Sequence, residues 1–273
     1  MEAKLQRRIQ RYGWDAAADI YERTWQDNLT PIHEQMIAMA GLRPGDNVLE
    51  LACGSGMLTF RAAGLVAPGG MIEASDISIE MVELVQGRAD AMGCDNVAVT
   101  RADAEFVDAG ADSFDAALCG LGLMYMPDPV AALSAMYRAL KPGGRAVLSI
   151  WGERRNCAWA DMFPIVDSTV QSEVCPLFFN LGAGDNLAMA MQRAGFERPL
   201  IHRIDATLGF DDRTDTVEAM IDGGAVALAA KHFDAATRAH VEQAFLDSIA
   251  AHARPNGGYD IPSEFVVAVG TKT

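Results

Sequence analysis

An acid and two glycines in the segment Val48–Thr59 are the residues best suited to hold a small ligand. An apolar run that contains Glu50 passes through Gly54 and Gly56 into a second apolar run. This pattern predicts a strand, a tight turn and the first turn of a helix. Glycine adopts positive φ angles and lets a ligand approach the main chain, so we predict a binding site at this turn.

An aspartate follows the turn at the spacing used for nucleotide cofactors. Asp76 lies about 20 residues after Gly56, the interval at which an acid reaches the hydroxyls of a ribose. An NAD-dependent oxidoreductase is therefore one interpretation. Against it, Thr59 replaces the third glycine of the dinucleotide fingerprint. Glu50 would repel a diphosphate but attract a sulfonium or ammonium cation, although it could also be a structural hydrogen-bond partner.

The elements predicted from apolar periodicity bring these residues to one edge of a sheet. Strand, helix and strand alternate from residue 47 to residue 101, which implies parallel strands with right-handed crossovers. Ligands bind beyond the carboxyl ends of such strands. We predict a doubly wound α/β fold. Its seven predicted strands are Asn47–Leu51, Met71–Ser75, Val97–Arg101, Phe114–Leu118, Arg145–Ile150, Pro199–Leu208 and Phe265–Gly270.

The chain is predicted to form one domain over residues 1–273, since it contains no repeat or low-complexity tract. Residues 1–41 are expected to form a helical cap, and residues 42–151 the cofactor-binding core. We interpret residues 152–184 and 211–262 as insertions on the substrate side, because variable segments above a rigid sheet commonly carry specificity.

The composition favours a cytoplasmic enzyme. The formal net charge of -15 repels polyanions, and no apolar run reaches the length of about 18 residues that suggests a membrane span. We expect no nucleic-acid partner and no membrane insertion; the sequence leaves the oligomeric state open. No Cys-x-x-Cys pair occurs, so neither a metal site nor a disulfide framework is predicted. The cysteines are Cys53, Cys94, Cys119, Cys157 and Cys175.

Four ordered motifs resemble those of class I S-adenosylmethionine-dependent methyltransferases, in the small-molecule branch of the ubiquinone/menaquinone ("type 11") methylases. The glycine turn after Glu50 resembles their first motif, Asp76 their acidic second motif, residues 102–105 their adenine-site motif, and residues 140–144 the turn before their fifth strand. The similarity covers about residues 40–150. It implies S-adenosyl-L-methionine as cofactor and a mostly parallel sheet whose last strand is antiparallel.

The same resemblance implies which residues hold the cofactor. The glycine turn and the preceding acid would hold the methionine portion, the acid after the second strand the ribose, and the residues after the third strand the adenine. The main chain of Cys119 would face the cofactor amine. In chain order, the residues implied are Glu50, Ala52, Gly54, Gly56, Asp76, Ile77, Asp103, Ala104 and Cys119.

Methyl transfer from a sulfonium is an in-line displacement that alignment alone accelerates strongly, so a dedicated catalytic residue is optional. A base is needed only where the nucleophile must lose a proton. Candidates for this role, or for orienting a hydroxyl, are Tyr21, His33, Tyr125 and His232.

The acceptor is predicted to be a small aromatic or lipophilic molecule. Tyr21 and Trp25 share one face of the N-terminal helical region with Trp14, and the insertions are rich in aromatic residues. Trp25, Met124 and Tyr125 are predicted to line the acceptor pocket. The fourth strand is not followed by the Asn/Asp-Pro-Pro-aromatic motif of exocyclic-amine nucleic-acid methylases, which argues against a nucleic-acid substrate.

Two further interpretations stay open. One is a protein that binds S-adenosylmethionine but has lost its acceptor pocket and is inactive. The other is an arsenite methylase, in which cysteine thiolates hold the metalloid; Cys53, Cys157 and Cys175 would then be the thiols. The paired and terminal cysteines of that family do not occur in this sequence.

Overall fold

The computed structural model describes residues 2–169 and 178–273. A single helix, α1 (Ala3–Ala40), forms the N-terminal region, where the sequence predicts helices without fixing their number. Pro31 lies inside α1 without ending it. Gly41 ends the helix in the left-handed conformation, with φ of 60°, and its N–H donates to a carbonyl of the last turn, which is a common helix end.

Within the described residues the fold is built on one seven-stranded sheet. The strands are β1 (Asn47–Leu51), β2 (Met71–Asp76), β3 (Val97–Arg101), β4 (Phe114–Gly120), β5 (Leu140–Trp151), β6 (Leu200–Phe210) and β7 (Tyr259–Thr271). Their order is β3-β2-β1-β4-β5-β7-β6. Neighbours among β1 to β5 are parallel, whereas β7 is antiparallel to both β5 and β6. The predicted doubly wound, mostly parallel fold is confirmed.

Strand β5 is longer than predicted because the proline–glycine turn before it is tied to the sheet. Gly143 N–H donates to the carbonyl of Lys272 at 2.8 Å, and Lys272 N–H donates to the carbonyl of Gly144 at 2.9 Å. The strand therefore begins at Leu140 rather than at Arg145.

Strands β6 and β7 also extend beyond the predicted runs. They pair without interruption from Leu200 opposite Val269 to Phe210 opposite Tyr259. Polar positions such as Glu264 break the apolar pattern of β7, so periodicity alone identifies only its second half. The structure shows Glu264 buried and paired with a cation of β6.

Helices cover the sheet and fill the late part of the chain. The longer ones beside the core strands are α2 (Met57–Val66), α3 (Ile79–Met92) and α4 (Pro129–Ala139). The later ones are α5 (Met162–Thr169), α6 (Asn186–Ala194), α7 (Arg213–Val217), α8 (Ala227–Ala230) and α9 (Ala235–Ser248), with a π-helical turn at Glu218–Asp222. No helix in the described part of the chain combines the length and apolar character needed to cross a bilayer.

Helix α1 crosses the edge of the sheet where the strand order reverses, between β1 and β4. Asp15 Oδ1 accepts a hydrogen bond from the Ser78 hydroxyl at 2.7 Å, which attaches α1 to the start of α3. Farther along α1, Trp25 Nε1 donates to the carbonyls of Ala219 and Gly223 at 3.2 and 2.9 Å. The helix thus joins the core to the late segments and covers the position where ligands bind in such sheets.

Candidate cofactor cleft and acceptor chamber

The glycine turn after β1 forms one wall of a cleft of about 710 Å³. Ala52 and Gly54 line this cleft, and both have a φ of 55°. A positive φ at alanine costs roughly 1 kcal/mol or more and is typical of binding sites. Gly56, which begins α2, lies away from the cleft wall; a Cβ at this position would lie 2.8 Å from Phe60 Cε2. Its role in the described structure is to let α2 pack against the turn.

Asp76 connects the end of β2 to the glycine turn. Its Oδ2 accepts a hydrogen bond from Gly54 N–H, and its Oδ1 accepts one from Ser78 N–H, both at 2.9 Å. Burial raises the pKa of Asp76, while the two N–H donors oppose this increase. The carboxylate lines the cleft, and each oxygen keeps a lone pair beyond its backbone contact. Asp76 can therefore accept two further hydrogen bonds from a ligand.

The residues after β3 form the other end of the cleft. Asp103 and Ala104 line it together with Ile77. Asp103 Oδ1 accepts a hydrogen bond from Glu105 N–H at 3.1 Å, and Asp103 Oδ2 lies 3.1 Å from Arg7 Nε. A cation of α1 thus faces the acid that the resemblance assigns to the adenine.

The segment after β4 supplies the floor of the cleft. Cys119 is fully buried within β4, and it is Gly120, Leu121 and Gly122 that line the cleft. Burial raises the pKa of the Cys119 thiol to about 12. Leu121 has a φ of 55°, a second strained position at the site. A main-chain contact of Cys119 with the cofactor amine stays a prediction, and the structure adds the three residues that follow it to the cleft floor.

Gly122 lies where the segments after β1 and β4 meet, so we expect Gly122→Ala to destabilise the site. A Cβ at position 122 would overlap Ala52 Cβ and lie 3.2 Å from Cys119 Sγ. Overpacking of this kind costs about 1 to 3 kcal/mol. Urea unfolding measures the loss; the matched control is Gly87→Ala in α3, where a Cβ would have no described atom within 4 Å. An equal effect of the two substitutions would contradict the prediction.

Glu50 lies beneath the turn rather than on the cleft surface. The residue is 1% exposed, and its Oε2 meets no hydrogen-bond partner among the described residues. Burial raises the pKa of Glu50 to about 8; the nearby Thr59 hydroxyl opposes this increase, and the charge of Asp76 adds to it. At neutral pH this acid is mostly protonated. An orphan carboxyl oxygen below a strained turn favours a cationic ligand, because a nearby cation would stabilise the charged form.

One face of α1 closes the cleft from above. The Tyr21 ring packs over the turn, with Cε1 3.8 Å from the position of a Cβ on Gly54. Trp14 meets Tyr21 edge-on with ring centroids 5.4 Å apart and meets Tyr125 at 5.1 Å. Burial and the charge of Asp76 raise the pKa of the Tyr21 hydroxyl well above its ordinary value. Tyr21 therefore stays protonated and can donate a hydrogen bond to a ligand.

A second cavity of about 510 Å³, here called the acceptor chamber, adjoins the cleft. The cleft and the chamber share Trp14, Tyr21, Leu121 and Tyr125. The rest of the chamber wall is largely aromatic: Trp25, Trp151, Trp159, Phe163 and Phe178. The indole N–H of Trp159 is buried and has no hydrogen-bond partner among the described residues. The chamber wall is thus largely apolar, and the buried Trp159 N–H has no partner among the described residues.

Among the residues predicted for catalysis or for the acceptor pocket, three do not line the cleft or the chamber. Met124, which was expected in the acceptor pocket, lies in the 3-10 turn Leu123–Tyr125 and is 3% exposed within the core. His33 is buried next to Gly120, and burial lowers its pKa to about 4. His232 is exposed after α8. The predicted residues Tyr21, Trp25 and Tyr125, by contrast, lie together on the chamber wall.

The prediction missed residues of α1 that helical spacing identifies. Arg7 and Gln10 line the cleft alongside Trp14 and Tyr21. These positions are separated by three, four and seven residues, so they lie on one helical face. The same spacing that predicts the aromatic face extends to the start of the chain.

The cysteine arrangement gives the arsenite interpretation little chemical basis. Burial raises the pKa of the Cys53 thiol well above its ordinary value and that of Cys157 to about 11. Thiols hold metal-like ions as thiolates, whereas these two stay protonated at neutral pH. Cys175, the third thiol of that interpretation, lies outside the described residues.

A doubly wound sheet, a strained glycine turn and an acid at the end of β2 define an α/β protein that binds a nucleotide cofactor. The sequence profile of the ubiE/COQ5 methyltransferase family matches residues 22–158. The chain belongs to this family, which confirms the resemblance stated from its motifs.

The chain is also similar to individual proteins. It is 37% identical over 116 residues to the ubiquinone/menaquinone biosynthesis C-methyltransferase UbiE of Francisella tularensis subsp. tularensis, covering 42% of this chain and 46% of that protein. Phosphoethanolamine N-methyltransferase 2 of Haemonchus contortus, solved with S-adenosylhomocysteine, superposes with a TM-score of 0.63 at 17% identity, over 95% of this chain and 58% of that one. The [4+2]-cyclase SpnF gives a TM-score of 0.62 at 17% identity, over 91% and 83%.

These similarities differ in how much of the chain they cover and in sequence identity. The match to the curated relative spans slightly less than half the length of that protein. The family profile covers residues 22–158, which include strands β1 to β5. The two solved structures, at under a fifth identity, share the fold alone. The family relationship therefore concerns the cleft more than the acceptor chamber, which late segments complete.

Proposed function

We propose that this protein is an S-adenosyl-L-methionine-dependent methyltransferase that acts on a small aromatic or lipophilic acceptor. The observation that carries the proposal is the wall shared by the cleft and the chamber, formed by Trp14, Tyr21, Leu121 and Tyr125. A nucleotide cofactor in the cleft and an apolar molecule in the chamber would meet at this wall. A cytoplasmic location and the lack of a nucleic-acid partner stay predictions from the net charge of -15.

The residues of the cleft fit this cofactor. Asp76 has acceptor capacity left for a ribose, and Glu50 has an orphan oxygen that a nearby cation would satisfy. Asp103 and Ala104 stand at the far end, where the resemblance places the adenine. When bound, the cofactor supplies an electrophilic methyl group on a sulfonium. The NAD interpretation is disfavoured by family membership and by Thr59, which is buried against Glu50.

The protein's own contribution is alignment and exclusion of water. Helix α1 covers the shared wall, so both reactants would be held in a largely apolar space, and orientation supplies much of the acceleration. Tyr21 keeps its proton and can donate a hydrogen bond to an oxygen next to the reacting atom of the acceptor. The orphan N–H of Trp159 can do the same for a second polar atom deeper in the chamber.

The first experiment tests the cofactor and the acceptor class separately. Calorimetry with S-adenosylhomocysteine tests the cleft; release of S-adenosylhomocysteine is then measured with S-adenosylmethionine and a panel of naphthols, naphthalene and small polar amines. We expect turnover with naphthols. Activity on small polar amines alone would contradict the acceptor class.

Binding without turnover would favour the alternative of a cofactor-binding protein that does not transfer methyl groups. The [4+2]-cyclase SpnF has a similar fold and is named for a different reaction. The fold alone therefore does not decide whether methyl transfer takes place. Failure to bind S-adenosylhomocysteine would contradict the cofactor itself.

Tyr21→Phe is expected to lower turnover about fivefold while the dissociation constant of S-adenosylhomocysteine changes less than twofold. The substitution keeps the ring over Gly54 and removes only the hydroxyl that would orient the acceptor, and one such hydrogen bond contributes on the order of 1 kcal/mol. Steady-state kinetics with the best naphthol measures the effect. Tyr12→Phe, at an exposed position of the same helix, is the matched control. Unchanged turnover in Tyr21→Phe would contradict this role.

A further inference from the structure

Arg7 connects the first turns of α1 to the adenine end of the cleft. Its Nε lies 2.5 Å from Glu105 Oε2 and 3.1 Å from Asp103 Oδ2. The Glu105 side chain is only 1% exposed, and its other oxygen accepts a hydrogen bond from Asp128 N–H. One guanidinium thus pairs with a buried carboxylate and, at the same time, with an acid that lines the cleft.

The surroundings of Arg7 hold its side chain in place. The guanidinium lies over the Phe106 ring, 4.8 Å from the ring centroid, a geometry that favours a cation. One residue earlier, the Gln6 side chain donates to the carbonyl of Tyr125 at 3.2 Å. These contacts bring the beginning of α1 against both the adenine end and the shared wall.

Both oxygens of Asp103 are already used inside the protein, by Glu105 N–H and by Arg7. If an adenine amino group donates to Asp103, it shares Oδ2 with the guanidinium or displaces it. In either case Arg7 keeps its shorter contact to the buried Glu105. The start of α1 can therefore stay in place over a bound adenine.

We propose that Arg7 is a positioning residue of the cofactor site, whose ion pair with Glu105 holds α1 over the adenine and slows the release of the cofactor. The proposal rests on the proposed function, since it requires an adenine at Asp103. Release of the ligand requires the start of α1 to move away, and the ion pair must break for this to occur.

Arg7→Gln tests the proposal through the rate of ligand release. Stopped-flow dilution of the S-adenosylhomocysteine complex, followed by tryptophan fluorescence with Trp14 on the cleft wall, should show release about fivefold faster than in the wild type. This is the size expected for a partly exposed charged pair. Arg8→Gln is the matched control: it makes the same charge change on the same helix, at an exposed position, and should release the ligand at the wild-type rate.

Two further readouts separate positioning from a general loss of stability. Glu105→Gln keeps an acceptor for Asp128 N–H and should release the ligand as fast as Arg7→Gln, with no further increase in the double variant. Added KCl should speed release from the wild type but not from Arg7→Gln, because salt screens the ion pair.

Different results would contradict the positioning role of Arg7 and the proposed function. Wild-type release rates in Arg7→Gln, even with a lower melting temperature, would overturn the positioning role and leave the proposed function intact. An equal effect in Arg8→Gln would do the same. If the wild type itself does not bind S-adenosylhomocysteine, the proposed function fails and this inference fails with it.

Discussion

Asp76→Ala is expected to weaken the binding of S-adenosylhomocysteine by about 100-fold or more. The carboxylate would accept both ribose hydroxyls, and a hydrogen bond to a charged acceptor contributes about 1.5 to 3 kcal/mol. The substitution also removes the acceptor that fixes Gly54, so the turn that faces the methionine portion loses its orientation. Isothermal titration calorimetry measures the affinity.

The same substitution should lower the stability of the ligand-free protein. Gly54 N–H and Ser78 N–H lose their partner, and an unsatisfied buried donor costs about 1 to 3 kcal/mol. Asp76→Asn keeps one carbonyl oxygen and should fall between the wild type and alanine in both measurements. Glu73→Ala removes an acid from the exposed side of the same strand. It should change neither the affinity for S-adenosylhomocysteine nor the stability of the ligand-free protein. Near-normal affinity in Asp76→Ala would contradict the ribose role.

The sheet and the ribose acid are predictable from sequence because their signals are local. Strand, turn and helix follow one another without a break from β1 to β3, and the handedness of the crossovers leaves few topologies. The interval between Gly56 and Asp76 is set by one helix and one strand, so the position of the acid follows from chain geometry. The structure places Asp76 against Gly54, as this interval requires.

Positions beyond β4 are less predictable, because small changes of backbone direction decide which side chain faces the cleft. Cys119 ends up in the core and Gly122 on the cleft floor, separated by the strained Leu121. Apolar residues follow one another there, so periodicity cannot tell Met124 in the core from Tyr125 on the wall. Tertiary packing makes that choice.

The acceptor chamber is the part least accessible to sequence reasoning. Its wall joins α1 to segments more than a hundred residues away, since Trp25 donates to the carbonyls of Ala219 and Gly223. Phe178 also meets Tyr125, with ring centroids 5.2 Å apart. Aromatic composition indicates that such a chamber can form. Only the folded chain shows which rings share it, and the ion pairs of Arg7 depend on the same docking of α1.

Glu50→Gln is expected to remove a pH dependence from the stability of the ligand-free protein. The pKa of Glu50 rises from 4.5 to about 8 on folding. Between these values the folded protein keeps a proton that the unfolded chain has lost, so stability falls as pH rises, by up to about 1.4 kcal/mol per unit. His33, with its pKa lowered to about 4, contributes in the opposite direction below pH 6.5. The difference between wild type and variant isolates Glu50.

Urea unfolding at pH 5, 6, 7 and 8 measures this difference. Glutamine resembles the protonated acid in shape and cannot ionise, so Glu50→Gln should gain stability relative to the wild type as pH rises. Thr59→Val removes the hydroxyl that lowers the pKa of Glu50 and should move the window to higher pH. Parallel stability curves for wild type and Glu50→Gln across this range would contradict a buried, titrating acid.

The same acid should couple cofactor binding to proton release. The charged form of Glu50 is disfavoured by burial and by Asp76, and a cationic ammonium or sulfonium group at the turn would favour it. Binding of S-adenosylhomocysteine, which keeps the ammonium group, should therefore release a proton near pH 7, seen as calorimetric heats that vary with the ionisation enthalpy of the buffer. The ratio of wild-type to Glu50→Gln affinity should increase from pH 6 to pH 8. If the ratio of the two affinities stays constant over this pH range, the charge of Glu50 does not contribute to binding. Glu50 would then be a structural hydrogen-bond partner.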